Sequence, residues 1–253
     1  MQMKTFTVAL SRDLPQAASI GFPCAALVLR LQDGRLIPTA RRMPNGGLLG
    51  LYTDGPASLP ADLRPLCREI CSYILHYHLS GVLLDLSEDA EGMAAAAALC
   101  PLLSSMGIPL YLPVSLAEAD PKAMLILPSA ISGGSFSGML DHFLSRFPAD
   151  RLCLELVRTR HDFPIPSPDP EGTRLSAEQF ETLRSSAGEI CFSADLCAHY
   201  FTYMHPDGNP HLVLYDDVES ARHKLDLARK AGLSAAFALY CEWGSAIRDI
   251  FCP

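Results

Sequence analysis

Residues 81–89 read GVLLDLSED, an apolar run interrupted by one carboxylate and closed by Ser-Glu-Asp. The run is short and apolar, and its spacing predicts a buried strand over 81–87. An ionised Asp inside such a strand is costly unless something useful surrounds it. Alternation along a strand sorts the side chains. Val82, Leu84 and Leu86 share one face, and Leu83, Asp85 and Ser87 share the other. Glu88 has the wrong parity to join Asp85 unless a loop beginning at Ser87 turns it inward.

Working outward, similar runs recur: TFTVAL (5–10), AALVLRL (25–31), GLLGLYTD (47–54), IPLYLPV (108–114), AMLILPSA (123–130), RLCLELV (151–157) and AAFALYC (235–241). They are apolar nearly throughout, as parallel strands buried on both faces should be. Amphipathic helices are predicted between them over 59–79, 91–107, 137–147, 176–188 and 217–232, the last opened by a capping Asp217 and closed by Gly232. Strands alternating with helical returns predict a single (β/α)8 TIM barrel over residues 1–253. Before the last helix and strand, YFTYM and HLVLYD flank the turn-rich PDGNP, which reads as a β-hairpin insertion. In such barrels reacting groups sit at the C-terminal ends of the strands. Val82, Leu84 and Leu86 should therefore pack on the helices, with Asp85 and Ser87 facing the axis at the mouth.

The net charge of −8 argues against nucleic acid or an anionic membrane as partner. The basic clusters are Arg41-Arg42 and the helical Arg222, Lys224, Arg229 and Lys230, expected on a solvated face. No segment is apolar for the ~18 residues a bilayer requires. The nine cysteines are mostly scattered through apolar surroundings and read as buried thiols in a reducing, cytoplasmic compartment. Cys67 and Cys71 lie one helical turn apart without a completing pair, and the histidines show no familiar metal spacing, so no metal and no cofactor are expected.

Three stretches resemble the chitinase-like glycoside hydrolase family 18, in its branch of bacterial spore-germination and peptidoglycan-acting hydrolases. HLSGVLLDLSED (78–89) is similar to the family's fourth strand, Asp-Gly-x-Asp-x-Asp-x-Glu. FPADRLCLELVRTRHDF (147–163) is similar to its Pro-x-Asp-Lys segment and seventh strand. In the region 199–240, Tyr203, Tyr215, Asp216, Asp217, Ser220 and Lys224 fall in step with the branch's hairpin and following helix. The resemblance implies a substrate-assisted reaction, an exception to the two-carboxylate scheme. The strand-four Glu protonates the leaving oxygen, the sugar's acetamide attacks the anomeric carbon, and the preceding Asp holds that acetamide.

On this chain the acetamide-holding position is Asp85, and the acid position is Ser87, whose hydroxyl cannot stand in for a carboxylic acid. Strand six supplies neither the Tyr nor the Asp of the family pattern, strand seven ends in VRTR, and Leu239 replaces the Trp floor, with Trp243 four residues later. The expectation is a catalytically impaired barrel binding an N-acetylglucosamine-type glycan, or a protein partner, through Asp85, Ser87, Tyr203, Glu242 and Trp243. The rivals are an active glycosidase using Asp85 with Glu88 or Glu242, and a ligand-free scaffold. Glu155 is expected to form a structural pair with Arg158 or Arg160. Trp243 suits either sugar stacking or packing under the terminal helix. A second carboxyl group facing Asp85 over an aromatic floor would remove the case for lost hydrolysis.

Overall fold

The computed structural model describes residues 3–40, 43, 45–55, 59–167 and 169–252; Arg41-Arg42 lies outside them. In chain order the elements are β1 (Lys4–Leu10), α1 (Leu14–Ser19), β2 (Cys24–Gln32), β3 (Arg35–Pro38), β4 (Leu48–Tyr52), α2 (Arg64–His76), β5 (Val82–Asp85) and α3 (Ala90–Ser105). There follow β6 (Leu110–Pro113), β7 (Met124–Pro128), α4 (Phe136–Leu144), β8 (Leu152–Leu156), β9 (Arg160–Pro164), β10 (Thr173–Arg174) and α5 (Ala177–Ser185). The chain ends with β11 (Cys191–Ser193), β12 (Ala198–Met204), β13 (Pro210–Tyr215), α6 (Val218–Lys230), β14 (Ala235–Leu239), α7 (Tyr240–Trp243) and α8 (Ala246–Phe251).

The strands β1, β2, β4, β5, β6, β7, β8 and β14 pair in parallel, and β1 pairs with both β14 and β2, so the sheet closes on itself. This is the expected eight-stranded barrel, with β3 added antiparallel to β2. Its first crossover is short because α1 alone bridges β1 and β2. Close strand contact is enforced at Gly47 (φ +77°), where a Cβ would lie 2.0 Å from the Cys24 carbonyl oxygen.

Two apolar layers follow from strand alternation. Outward residues such as Val82, Leu84, Leu125 and Leu154 pack with Leu99, Leu103 and Leu225 of the surrounding helices. Inward residues, including Leu83, Ile126 and Cys153, fill the axis. There Phe6 stacks on Phe237 at 5.1 Å between centroids, and Tyr111 meets both rings edge-on. Such aromatic contacts give a rigid floor across the barrel interior.

The hairpin of β12 and β13 is present, but it belongs to a larger unit. Five antiparallel strands in the order β10-β9-β13-β12-β11 form a second sheet between β8 and α6. Their own core is Phe180, Phe201, Val213 and Tyr215.

One expected surface residue is instead buried. Lys224 is 2% exposed and its Nζ donates to Asp216 Oδ1 at 2.7 Å. Asp216 also accepts from Ser220 Oγ and the Thr159 amide, so a single carboxylate ties α6 to the segment entering β9. Helical spacing placed Lys224 among Arg222 and Arg229, but the insertion covers that turn of α6. Asp217 caps α6 as expected, in a reciprocal capping box with Ser220.

Candidate functional site

A cavity of about 460 Å³ opens at the C-terminal ends of the barrel strands. Val8, Leu10, Leu27, Ile126, Phe237 and Leu239 give it apolar walls, and its ionisable lining is Asp85, Glu88 and Glu155. Among the described residues no Lys or Arg lines it.

Asp85 ends β5 opposite Tyr52 and faces the cavity, as its parity required. Protein walls around the mouth push its carboxyl above the usual range, and the Glu88 charge adds to the effect. The alternation then breaks. After Asp85 the chain leaves the sheet: the Thr53 amide donates to the Asp85 carbonyl, and the Ser87 amide donates to Thr53 Oγ1. Ser87 Oγ turns to α3 and donates to Asp89 Oδ1 at 2.9 Å, while Asp89 caps that helix through the Gly92 amide. The helix start presses so closely here that a Cβ on Gly92 would lie 1.8 Å from the Ser87 carbonyl oxygen. Ser87, expected at the mouth, is therefore outside the cavity lining, and Glu88 takes the inward place.

Glu155 also differs from expectation. On β8 it points into the cavity, half-buried, and no ion pair to it occurs among the described residues. Burial raises its pKa from 4.5 to about 7, with the charges of Asp85 and Glu242 contributing. A carboxyl group there is available as a proton donor near neutrality. The arginines proposed as its partners are engaged elsewhere. Arg158 donates through its amide to Glu242 Oε2 and through its guanidinium to the Glu242 carbonyl, and it lies over the Trp243 ring at 5.1 Å. Arg160 lies over Phe180.

The other candidate ligands are not among the lining residues of the cavity. Glu242 is held by Arg158 and by an ion pair with Arg174 at 3.0 Å. Trp243 is 3% exposed and its indole N–H donates to the Leu156 carbonyl at 2.8 Å, so it is a core residue. Tyr203 donates to Asp162 within the second sheet. Tyr203 and Trp243 do not line the cavity, and neither Arg158, Arg160 nor Met204 is among its lining residues.

The resulting site is a carboxylate cluster above an aromatic floor, with Phe237 linking the two. This meets the condition under which Ser87 alone no longer argues for lost hydrolysis. Strand alternation puts Glu155 on the same face as Cys153, but its lack of an ion-pair partner among the described residues was not readable from the sequence.

The fold is a (β/α)8 barrel similar to those of chitinases and of a spore cortex-lytic enzyme. The class V chitinase of Nicotiana tobaccum superposes with a TM-score of 0.68 at 12% identity, over 99% of this chain and 98% of that one. The spore cortex-lytic enzyme SleL of Bacillus megaterium gives 0.65 at 12% identity, over 98% and 72%. A family 18 chitinase from Cycas revoluta, crystallised with (GlcNAc)4, gives 0.57 at 14% identity, over 98% and 96%. At these identities the likeness is one of fold. No protein-family model matches the sequence, and no curated protein matches it.

Proposed function

We propose that the mouth cavity binds a sugar unit of an N-acetylhexosamine glycan. The observation that carries this reading is Asp85, which faces a cavity in the size range of small-ligand sites from the position that holds the acetamide in the resembled family. The fold neighbours are chitinases and a cortex-lytic enzyme, one of them bound to (GlcNAc)4. The family's own arrangement for hydrolysis is not reproduced, because Ser87 is engaged at a helix cap and Trp243 is buried. A reducing, intracellular setting belongs to the same proposal and rests on nine thiols, none of them paired.

A second reading, favoured by Glu155, adds hydrolysis. Glu155 would give its proton to the leaving glycosidic oxygen while the substrate's acetamide attacks the anomeric carbon and Asp85 orients it. Water then opens the cyclic intermediate and returns a proton to Glu155. The two readings separate in one experiment. Calorimetric titration with (GlcNAc)4 should show binding that Asp85→Ala abolishes, and fluorogenic chitooligosaccharides report cleavage. Turnover lost in Glu155→Gln with binding retained establishes the second reading. Binding without turnover in the wild type leaves the first. Absence of binding to both chitooligosaccharides and muropeptides overturns both.

A further inference from the structure

We infer that the tip of the β12–β13 hairpin is a binding site for a divalent transition-metal ion of the zinc type, held by His205, Asp207 and His211. This site is independent of the mouth cavity, none of whose lining it shares. Ligand atoms of the three side chains lie within 4.8 Å of one another. Hairpin register brings them together. Tyr203 pairs with His211 and Met204 with Pro210, so His205 continues β12 beside His211 while Asp207 occupies the turn. The turn closes through the Gly208 amide to the His205 carbonyl and the His205 amide to the Asn209 carbonyl.

The nitrogens are prepared for this. His211 is 9% exposed, and its Nδ1 lies 2.8 Å from Asp162 Oδ2. A carboxylate only accepts, so in the neutral ring Nδ1 carries the hydrogen and Nε2 has the free lone pair. A ligating histidine commonly donates its second nitrogen to a carboxylate in this way, which fixes tautomer and ring direction. The Tyr203 hydroxyl donates to the same Asp162 oxygen at 3.1 Å. Asp162 Oδ1 is buried without a partner. A cation one imidazole away offsets that poorly compensated charge.

His205 stacks on His211 with centroids 4.6 Å apart, and its Nδ1 lies 3.0 Å from Asp207 Oδ1. Tetrahedral ligands at ~2.0–2.2 Å from zinc are about 3.3 Å apart, so the cluster must close by up to about 1.5 Å. The side chains of His205 and Asp207, 41% and 50% exposed, sit at the tip and are free to make that movement, while His211 is the fixed point. Two imidazole donors among three ligands suit zinc and its neighbours rather than calcium or magnesium, which take oxygen ligands. Three protein ligands leave a fourth position for water.

The test uses the full chain, stripped by chelator and titrated with zinc by calorimetry against a competing chelator. Cobalt absorption reports coordination geometry. Saturable binding of one ion per chain is expected, with d–d bands typical of tetrahedral nitrogen and oxygen ligands. His205→Ala and Asp207→Asn, both at exposed positions and compatible with folding, should each weaken binding by about 100-fold or more, and Asp162→Asn by about 10–100-fold. The exposed His142 supplies a control, His142→Ala, that leaves binding unchanged. Absence of saturable binding overturns the inference. So does binding that survives both His205→Ala and Asp207→Asn, or cobalt spectra dominated by thiolate charge transfer.

Discussion

Replacing Glu155 with Gln tests the electrostatics of the mouth directly. In the folded protein its carboxyl titrates at about 7, against 4.5 for an ordinary glutamate. The folded pKa is raised, so the native state holds this proton more tightly than the unfolded chain. Below the unfolded value both states are protonated and the contribution to stability is complete. As pH climbs towards the folded value, the unfolded chain releases its proton first and native stability falls. Above it the native state carries an ionised carboxylate against Asp85 and an apolar wall. The full span corresponds to about 3 kcal/mol, an upper figure because the mouth admits water. Glu155→Gln removes the ionisation and keeps the shape. Urea unfolding of both proteins between about pH 5 and about pH 8 isolates the effect, since groups that do not interact with Glu155 cancel in the difference. The variant should gain on the wild type as pH rises, with most of the change below neutrality. Asp85→Asn should shrink the step without abolishing it, because burial is the larger cause. Parallel stability curves for wild type and Glu155→Gln would refute the assignment of a protonatable carboxyl to this site.

Ser87→Glu should not create chitinase activity, because side chains at 87 are directed to the α3 cap and Gly92; turnover of a fluorogenic substrate checks this. Lys224→Met leaves Asp216 buried with only neutral donors and should destabilise by about 3–5 kcal/mol, measured by denaturant unfolding. Combining it with Asp216→Asn should recover part of the loss. Trp243→Phe removes the hydrogen bond to the Leu156 carbonyl and shrinks the ring face on which Arg158 rests, with a cost of about 1–3 kcal/mol. A difference under a few tenths of that would contradict the core role given to Trp243.

The barrel was legible in the sequence for a local reason. Each strand is buried on both faces, so it appears as a short apolar run, and helices between the runs leave little freedom in how they close. Alternation correctly divided Val82 and Leu84 from Leu83 and Asp85 because it depends only on backbone geometry within one strand. It failed two residues later because β5 stops at Asp85, where Thr53 and the capped start of α3 take over the chain. Position 87 could be aligned with a family motif, but its direction was set by those neighbours.

The remaining differences involve partners remote in sequence. Glu155 is left to face Asp85 because Arg158 is drawn to Glu242, 84 residues away. Lys224 is buried because the insertion brings Thr159 and Asp216 over α6. His205, Asp207 and His211 match no linear ligand spacing, yet a hairpin register sets them side by side and Asp162 arrives from another strand. Periodicity and capping are properties of a few consecutive residues, and the sequence determined on their strength the barrel, its strands and the place of Asp85. Which charges meet, which are left alone and which way a loop side chain points depend on packing between distant segments, and only the tertiary structure decided them.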